Sequence, residues 1–543
     1  MAPFDSSVRY DRQVRLWGEE GQASIGSTSV CMLGSDSLGS EILKSLVLAG
    51  IRSFFIVDDA KVEQTDIGQN FFLDIDDIGK YRAQATLDKL LELNRSVIGN
   101  CSFASPHSLA PSDVVNLTEF SVVVSSNLPE CTESAFAQTL YNLGVPFICA
   151  KTYGLVGTIK ICIKEHTIAN SHEENPKPDL RLDIPFEKLK EMAEETNLDG
   201  MSNEQFRHTP YILILFKALD AWRAKREDVH AFPNSYSERK EILSIINDMR
   251  RITETGNKDT ENFDEAKAAV IRAFQKTEIG SSVQTILNDP SCRTSSEPFW
   301  LICEALRRFV NENNGTLPVR GTLPDMTSDT ARYTRLATMF HEKAICDANR
   351  VLEFTRDVEK ERGVGDVISD EMCYRFCKNA DRIRLQRGDM LNYDDEIHKI
   401  IDLVKQLPTA DEMDQNEEKT VDCSIWLLLL RAANRFYNEK GRYPGTNGVP
   451  CDIEAHDLKS RVQAIVKNVV NDDTKTEEIL ARVPDEAIAE MCRFGAAELH
   501  VVSSFIGGIT SQEVIKLATN QYVPLDNTFV FDGHTQQSTT FKL

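Results

Sequence analysis

Two short apolar runs flank an amphipathic segment near the start of the chain. Residues 29–34 and 53–57 have the length of buried strands, and between them apolar residues recur at helical spacing. Gly50 follows the last of these residues, where a helix commonly ends. The pattern predicts a strand–helix–strand unit.

Strand and helix signals continue to alternate over the first part of the chain and return at its end. They are a helix at 80–93, strands at 121–125 and 145–150, a helix at 496–518 and a strand at 528–532. Long charged amphipathic helices fill the middle. We therefore predict a doubly wound α/β domain from residues 1–165 and 486–543, interrupted by a large, mainly helical insertion at 166–485.

The overall charge narrows the classes of partner. The chain has 543 residues, of which 61 are Lys or Arg and 84 are Asp or Glu, so its formal net charge is −23. Such a charge disfavours a nucleic acid or an anionic membrane as the main partner. No apolar run approaches the roughly 18 residues that span a bilayer, and the first residues lack the apolar core of a signal peptide. We expect no nucleic-acid partner, no membrane partner, and a cytoplasmic or nuclear location.

The loop between the first strand and its helix carries the candidate chemistry. A nucleotide-binding fold places its phosphate loop here, and the middle glycine lets backbone amides approach a phosphate at the positive end of the helix. Gly34 and Gly39 flank the loop, but Asp36 stands at the middle glycine. A like charge there costs about 4 kcal/mol at about 4 Å in an effective dielectric near 20.

An acid also stands where such folds contact a ribose. Asp58 ends the second strand, 19 residues after Gly39, the place of the residue that binds ribose hydroxyls. The sequence predicts a degenerate loop that is a poor site for a triphosphate. An ordinary strand-to-helix turn is the alternative interpretation.

Three motifs around this unit resemble a known family. They are residues 9–13 (Arg-Tyr-Asp-Arg-Gln), 79–83 (Gly-Lys-Tyr-Arg-Ala) and 151–157 (Lys-Thr-Tyr-Gly-Leu-Val-Gly). Together they resemble the adenylating half of ubiquitin-like-protein activating enzymes and the bacterial sulfur-carrier adenylyltransferases. The resemblance implies a Rossmann-like ThiF/MoeB-type adenylation fold, with an insertion related to the catalytic-cysteine domain.

The chain departs from that family where the active members hold ATP. An active half has a second loop glycine, an Arg after the ribose acid, a Lys where the next helix begins and an Asp that helps to hold magnesium. An ungapped comparison finds in those places Asp36, Gln69, Arg82 and Leu128. These changes remove charge neutralisation that adenylyl transfer needs. The resemblance therefore implies a pseudo-adenylating half without a cofactor of its own, beside a partner that holds ATP and Mg.

The resemblance also implies a role for the N-terminal motif. In this family two halves pair, and the N-terminal segment of one half places an arginine in the ATP site of the other. The matching residue is Arg12, whose permanently charged guanidinium can bind two phosphate oxygens at once. Arg12 is thus expected to act in trans on the partner's ATP. The alternative is an exposed arginine that pairs with Asp11.

The insertion distinguishes between branches of the family. Residues 315–326 and 492–500 (Cys-Arg-Phe-Gly-Ala-Ala-Glu-Leu-His) resemble the regulatory subunits that serve the Nedd-type (Rub) modifier, the tag placed on cullins. The Sumo-type counterpart is shorter. The implied partners are a catalytic subunit in a heterodimer, the Nedd-type modifier and, through the complex, a conjugating enzyme. A Sumo-type subunit, a nucleotide-dependent oxidoreductase and a pure interaction scaffold are the alternatives.

Two segments are implied as contacts with the catalytic subunit. One is His208, and the other is the stretch 325–335, in which the candidates are Asp325, Arg332, Tyr333 and Arg335. A solvated helix start is the alternative for the stretch, and a helix-capping position is the alternative for His208.

The thirteen cysteines are scattered and form no Cys-x-x-Cys pair, which is typical of reduced intracellular thiols. Cys373 and Cys377 have the spacing of one helix face, and we interpret them as packed core thiols, so no metal site is predicted. Cys292 lies in a Pro-Ser-Cys-Arg-Thr segment that resembles the setting of the family's nucleophile. Thioester formation on this chain is therefore an alternative to the expectation that it carries no nucleophile.

Overall fold

The computed structural model describes residues 6–108, 117–169, 177–228, 230–251, 261–408, 420–446 and 448–543. The chain forms two compact units. The first unit combines Met1–His166 with Gln386–Leu543, and the second unit is Thr167–Leu385.

A mixed sheet of eight strands forms the centre of the first unit. The strands of the described chain are β1 Ser29–Leu33, β2 Ser53–Val57, β3 Ile98–Ser102, β4 Val122–Ser126, β5 Phe147–Tyr153, β6 Val156–Cys162, β7 His166–Ile168, β8 Arg384–Gln386, β9 Thr528–Asp532 and β10 Gln537–Phe541. The sheet order is β10-β9-β6-β5-β4-β1-β2-β3. Strands β1 to β5 are parallel, and β6, β9 and β10 are antiparallel. The predicted doubly wound α/β fold is thus present.

The first helices of this unit include the two that the sequence predicts in this part of the chain. They are α1 Ser6–Arg9, α2 Asp11–Ser27, α3 Ser37–Ala49, α4 Arg82–Leu93 and α5 Glu130–Leu143. Helix α3 is the helix of the predicted strand–helix–strand unit. It is buried on nearly all sides, and one of its faces, with Leu38, Ile42 and Leu46, packs in the main apolar core of the first unit. Gly50 ends it in a left-handed conformation with a φ of 88°.

The second unit is helical. Its helices are α6 Glu187–Glu195, α7 Asn203–Arg207, α8 Tyr211–Arg223, α9 Tyr236–Asp248, α10 Glu261–Ala273, α11 Ser281–Asn288, α12 Ser291–Thr294, α13 Pro298–Glu312, α14 Thr330–Arg362 and α15 Asp370–Lys378. Two apolar clusters support them, one around Trp222 and Phe263 and one around Trp300 and Phe376. Within the ranges given above, no helix of the chain is both long enough and apolar enough to cross a bilayer.

The chain re-enters the first unit about a hundred residues earlier than the predicted boundary at 485. The helices after this point are α16 Tyr393–Lys405, α17 Cys423–Lys440, α18 Cys451–Val470, α19 Asp473–Leu480, α20 Asp485–Phe494 and α21 His500–Thr519. Helices α16 to α18 bury their apolar faces in one cluster with Tyr153, Val156 and Val530 of the sheet strands. The compact units therefore differ from the predicted segments over residues 386–485.

Candidate functional site

The loop between β1 and α3 has the close backbone contacts of a phosphate loop. Gly34 has a φ of 100°, and a Cβ atom on it would lie 2.7 Å from the Oγ of Ser126. A Cβ atom on Gly39 would lie 2.6 Å from the carbonyl oxygen of Gly34. Both flanking glycines are therefore required by the packing of the loop against itself and against β4.

Alternate backbone amides of this loop donate to carboxylates of the chain itself. The bonds run from Ser35 to Asp58 Oδ2 (2.9 Å), from Ser37 to Glu498 Oε2 (2.8 Å) and from Gly39 to Asp36 Oδ1 (2.8 Å). In a nucleotide-binding loop, amides at the start of the helix are the donors to the phosphate. Here side-chain oxygens occupy that anion position.

Asp36 is the N-cap residue of α3. Besides accepting from the amide of Gly39, its carboxylate accepts from the Nδ2 of Asn127 at 3.2 Å. The side chain is buried, and this burial raises the pKa of Asp36, while the positive charge of Arg82 opposes the rise. The residue that the sequence identified as damage to the loop thus also stabilises the helix start.

Glu498 is the acid that sequence analysis did not identify as part of the loop. It lies 461 residues after Ser37 along the chain, in the turn between α20 and α21. Left-handed conformations at Gly495 and Ala496 form this turn, and the amide of Gly154 holds it by donating to the carbonyl of Ala497 at 2.8 Å. Burial, followed by the charge of Asp36, raises the pKa of Glu498 to about 8.

Asp58, the predicted ribose acid, is paired inside the protein. Its Oδ2 atom accepts from the Nε of Arg82 at 3.0 Å, and the Nη2 of Arg82 lies 2.9 Å away. Its Oδ1 atom accepts from the amide of Ala60 at 2.9 Å. Asp58 is buried, so these partners hold the carboxylate away from solvent. A ribose would have to displace Arg82 to bind it.

The other two substituted positions also differ from the pattern of the active family members. The backbone carbonyl of Gln69 accepts from the Oγ of Ser37 at 2.8 Å. Leu128 is buried in the apolar cluster around Phe136, so the position expected to help hold magnesium has no oxygen ligand in its side chain. Three amides of the loop and the predicted ribose acid are thus bonded to other groups of the chain itself.

Arg12 differs from the loop residues because its side chain points into solvent. It lies in the first turn of α2 and is 90% exposed, with its Nε atom 3.7 Å from the Oδ2 of Asp11. The predicted local pair with Asp11 is therefore present. An exposed pair of this kind is worth only about 0–1 kcal/mol, so it leaves the guanidinium available.

The two predicted interface segments lie together in the second unit. The amide of Asp329, the N-cap of α14, donates to the carbonyl of His208 at 3.1 Å. Arg332 donates to the carbonyl of Gln205 at 2.7 Å and to the Oγ1 of Thr209 at 2.8 Å. Arg332 is thus bonded within the chain and fixes the start of α14 to the turn at His208.

The remaining candidates of this surface leave polar groups accessible. His208 and Asp325 are exposed, and Tyr333 is half-buried. Arg335 is exposed and forms a surface ion pair with Glu195 at 3.0 Å. His208 is also the C-cap residue of α7, so the interpretation as a helix cap agrees with its position and leaves its ring free for other contacts.

Cys292 lies in the buried core of the second unit. Its side chain is 1% exposed, and its Sγ atom donates to the carbonyl of Ile286 at 3.2 Å. A nucleophilic thiol must meet its substrate, and this one is covered. The geometry therefore does not support the alternative that Cys292 forms a thioester.

Comparisons with known proteins agree on one family. The chain matches the ThiF family over residues 10–543. It is 66% identical to a NEDD8-activating enzyme E1 regulatory subunit of Caenorhabditis elegans, covering all of both chains. It is 38% identical to the protein of the same name from Xenopus laevis and 37% identical to that from Danio rerio, covering 98% of each chain in both comparisons. These matches do not support the Sumo-type alternative. The chain belongs to the ThiF family, within the group of NEDD8-activating enzyme E1 regulatory subunits.

Proposed function

We propose that this chain is the non-catalytic subunit of a heterodimeric activating enzyme for NEDD8. Its catalytic partner holds ATP and Mg²⁺, and this chain completes that site through Arg12. The relatives support the regulatory role by name, and the filled loop supports the absence of catalysis in this chain.

The single observation that carries the proposal is the bonding of the loop amides to Asp58, Glu498 and Asp36. A phosphate would have to displace carboxylates that are already in place and would meet their charge if they were ionised. Adenylation therefore belongs to the partner. There the C-terminal carboxylate of the modifier attacks the α-phosphorus of ATP, and the bond to pyrophosphate breaks.

The partner would complete the reaction sequence as well. Its cysteine thiolate attacks the acyl carbon of the adenylate, AMP leaves, and the resulting thioester passes to a conjugating enzyme. The buried Cys292 is consistent with a chain that takes no covalent part in this sequence.

Arg12 supplies the positive charge that an adenylation site needs as negative charge shifts to the leaving pyrophosphate. A guanidinium can donate two parallel hydrogen bonds to phosphate oxygens, and it stays charged at every working pH. The side chain is exposed, so a second subunit can contact it.

The surface formed by His208, Asp325, Tyr333 and Arg335 would form a second contact with the catalytic subunit. Arg332 supports this surface from within, because its guanidinium ties α14 to the turn at His208. Arg332 therefore has a structural role, whereas the residues around it would make the contact with the catalytic subunit.

The proposal is tested by pyrophosphate exchange into ATP that depends on the modifier. This chain, the catalytic subunit and their mixture are compared. We expect exchange by the mixture and not by this chain alone. Exchange by this chain alone would show that its loop binds ATP, and the proposal would be wrong.

The role of Arg12 is tested by Arg12→Ala in the mixture, with Arg15→Ala as the matched control. Arg15 lies in the same helix, is 71% exposed and also pairs with Asp11. Loss of a charged hydrogen bond worth about 1.5–3 kcal/mol predicts roughly a 10- to 100-fold loss of exchange for Arg12→Ala. The heterodimer should still elute intact. Equal activity of the two variants would favour the pure scaffold.

A further inference from the structure

Tyr10 occupies a notch that Gly50 creates at the end of α3. A Cβ atom on Gly50 would lie 2.5 Å from both the Cζ and the Oη of Tyr10. Gly50 thus serves two purposes, because its left-handed backbone ends the helix and its missing side chain admits the aromatic ring.

Asn94 closes this notch from the end of α4. Its Nδ2 group donates to the Oη of Tyr10 at 3.0 Å and to the carbonyl of Val47 at 2.9 Å. The side chain is 1% exposed, and its Oδ1 accepts from the amide of Ser96 at 3.2 Å. Because all these groups are bonded, Asn94 is a rigid link between the Tyr10 hydroxyl and the core helix α3.

The backbone of Tyr10 begins the helix that carries Arg12. Tyr10 is the N-cap residue of α2, and its carbonyl accepts from the amide of Val14 at 2.9 Å. The helix changes direction at Gly18, whose φ of 73° and ψ of 172° are not helical. The part that precedes this break is too short to be stable without contacts to the rest of the unit.

This short first part of α2 is fixed at both ends. Tyr10 holds its start, and Trp17 holds its end through burial and through its carbonyl, which accepts from the Nε2 of Gln521 at 2.9 Å. Between these anchors, the Arg12 side chain is 90% exposed. The placement of its guanidinium must therefore come from the backbone, because a free arginine side chain has roughly 2 kcal/mol of rotamer entropy.

We propose that Tyr10, held in the Gly50 notch by Asn94, is a positioning residue. It sets the direction in which the Arg12 side chain projects from the surface of this subunit. It need not touch ATP. The inference rests on the proposed function of Arg12. It adds that the end of α3, through Gly50 and Tyr10, fixes the position from which Arg12 would contact the partner's ATP. It assigns a role to the tyrosine of the Arg-Tyr-Asp-Arg-Gln motif, which the sequence left unexplained.

The test is a double-mutant cycle on the intact heterodimer. Pyrophosphate exchange is measured for Tyr10→Ala, Arg12→Ala and the double variant. We expect Tyr10→Ala to lose about 10-fold in an otherwise native complex, since a small misplacement of a charged donor is costly. In the Arg12→Ala background, Tyr10→Ala should cause no further loss, because there is no guanidinium left to position.

Tyr10→Phe is the conservative variant of the same experiment. It keeps the ring in the notch and removes only the bond from Asn94, so we expect it to retain most of the activity that Tyr10→Ala loses. If Tyr10→Ala does not fold, Tyr10→Leu replaces it in the cycle. Elution as a heterodimer and the melting temperature are measured for every variant.

The outcomes separate this inference from the proposed function. If Arg12→Ala is inactive while Tyr10→Ala is fully active, only the positioning role is wrong. A loss that is equally large in the Arg12→Ala background shows that Tyr10 acts through something else, which also overturns the inference. If Arg12→Ala keeps full activity, both the proposed function of Arg12 and the positioning role of Tyr10 are wrong.

Discussion

Arg82 carries the positive charge around which the acidic residues of the loop are arranged. It contacts Asp58 at 2.9 Å and Asp66 at 3.4 Å, and its charge also acts on Asp36 and Glu498. Burial is the main cause that raises the pKa of Asp36 and of Glu498, a neighbouring acid adds to each rise, and the charge of Arg82 opposes both.

The shifted pKa of Glu498 predicts how stability depends on pH. Because the pKa is about 8 in the folded protein and about 4.3 in an unfolded chain, the folded state keeps a proton that the unfolded state has released between these values. This contribution is fully present below about pH 4 and is lost as the pH rises to about 8. We expect the melting temperature of the wild type to fall over this window, because this group lowers the free energy of unfolding by at most about 1.4 kcal/mol per pH unit.

Glu498→Gln should flatten this part of the profile, because glutamine resembles the protonated acid and still accepts from the amide of Ser37. The measurement is the melting temperature between pH 5.5 and 8.5. Glu486→Gln is the control, since Glu486 is exposed on the neighbouring helix α20 and its substitution should leave the slope unchanged. Parallel profiles of the wild type and Glu498→Gln would contradict the shifted pKa.

The sequence could identify some of these residues and not others. Asp36 and Asp58 stand at fixed offsets in a local strand–helix–strand pattern, so their place in the loop was predictable. Glu498 has no local signal, because its role depends on a contact between segments 461 residues apart. Arg82 was identified as a substitution, but its bond to Asp58 was not, since spacing alone does not show where a long side chain points.

At the level of elements, the contact between α21 and α3 depends on one of two adjacent glycines. A Cβ atom on Gly507 would lie 2.9 Å from the Cβ of Glu41 and 3.2 Å from the amide nitrogen of Ile42. A Cβ atom on Gly508 would meet nothing within 4 Å. The Oγ of Ser511 donates to the carbonyl of Ile42 at 3.2 Å. The two helices thus approach each other through the face that contains Gly507.

We expect opposite effects from alanine at these two glycines. Gly507→Ala forces the helices apart and should destabilise the first unit by about 1–3 kcal/mol. Gly508→Ala faces open space and gains helix propensity, so it should be neutral or stabilising by up to about 1 kcal/mol. The measurement is the difference in melting temperature between the two variants. A destabilising effect of the same size at both positions would contradict the helix contact.

The predicted elements agree with the structure where their pattern is local. The strand at 53–57 has the predicted bounds, and α3 ends at the predicted glycine. The assignment of residues 386–485 was not available from the pattern. An amphipathic helix shows that one of its faces is buried, but its sequence does not show which surface covers that face. The apolar faces of α16 to α18 are covered by strands of the first unit.

At the scale of the whole molecule, a buried charge cluster joins the returning chain to the sheet of the first unit. Glu396 on α16 forms ion pairs with Lys160 on β6 and with Arg431 on α17. Arg431 also pairs with Glu130 on α5 at 2.7 Å. The ring of Tyr393 lies 3.9 Å from the guanidinium of Arg431 and 4.7 Å from the Nζ of Lys160. Polar bonds as well as apolar packing thus place these helices in the first unit.

The pKa of Lys160 reflects the burial and the opposing charges within this cluster. Burial and the nearby positive charge of Arg431 lower the pKa of Lys160 to about 8, although Glu396 opposes the shift. Glu396 pairs with both buried cations, whereas Glu130 pairs with Arg431 alone in the contacts described above. Removing one partner of a buried pair commonly costs about 3–5 kcal/mol because a charge is left uncompensated.

We therefore expect Glu396→Ala to destabilise the first unit and to leave the second unit unchanged. The measurement is hydrogen exchange followed by mass spectrometry, in which peptides from α16 and α17 should exchange faster while those from α8 and α13 keep their wild-type rates. Asp402→Ala is the matched control on α16. Asp402 is 65% exposed, and in the contacts described for it its carboxylate pairs only with a surface partner, Lys405. Its substitution should therefore change the free energy of unfolding by no more than about 0.5 kcal/mol. Faster exchange in both units, or none in α16 and α17, would show that this cluster does not hold the returning chain to the sheet.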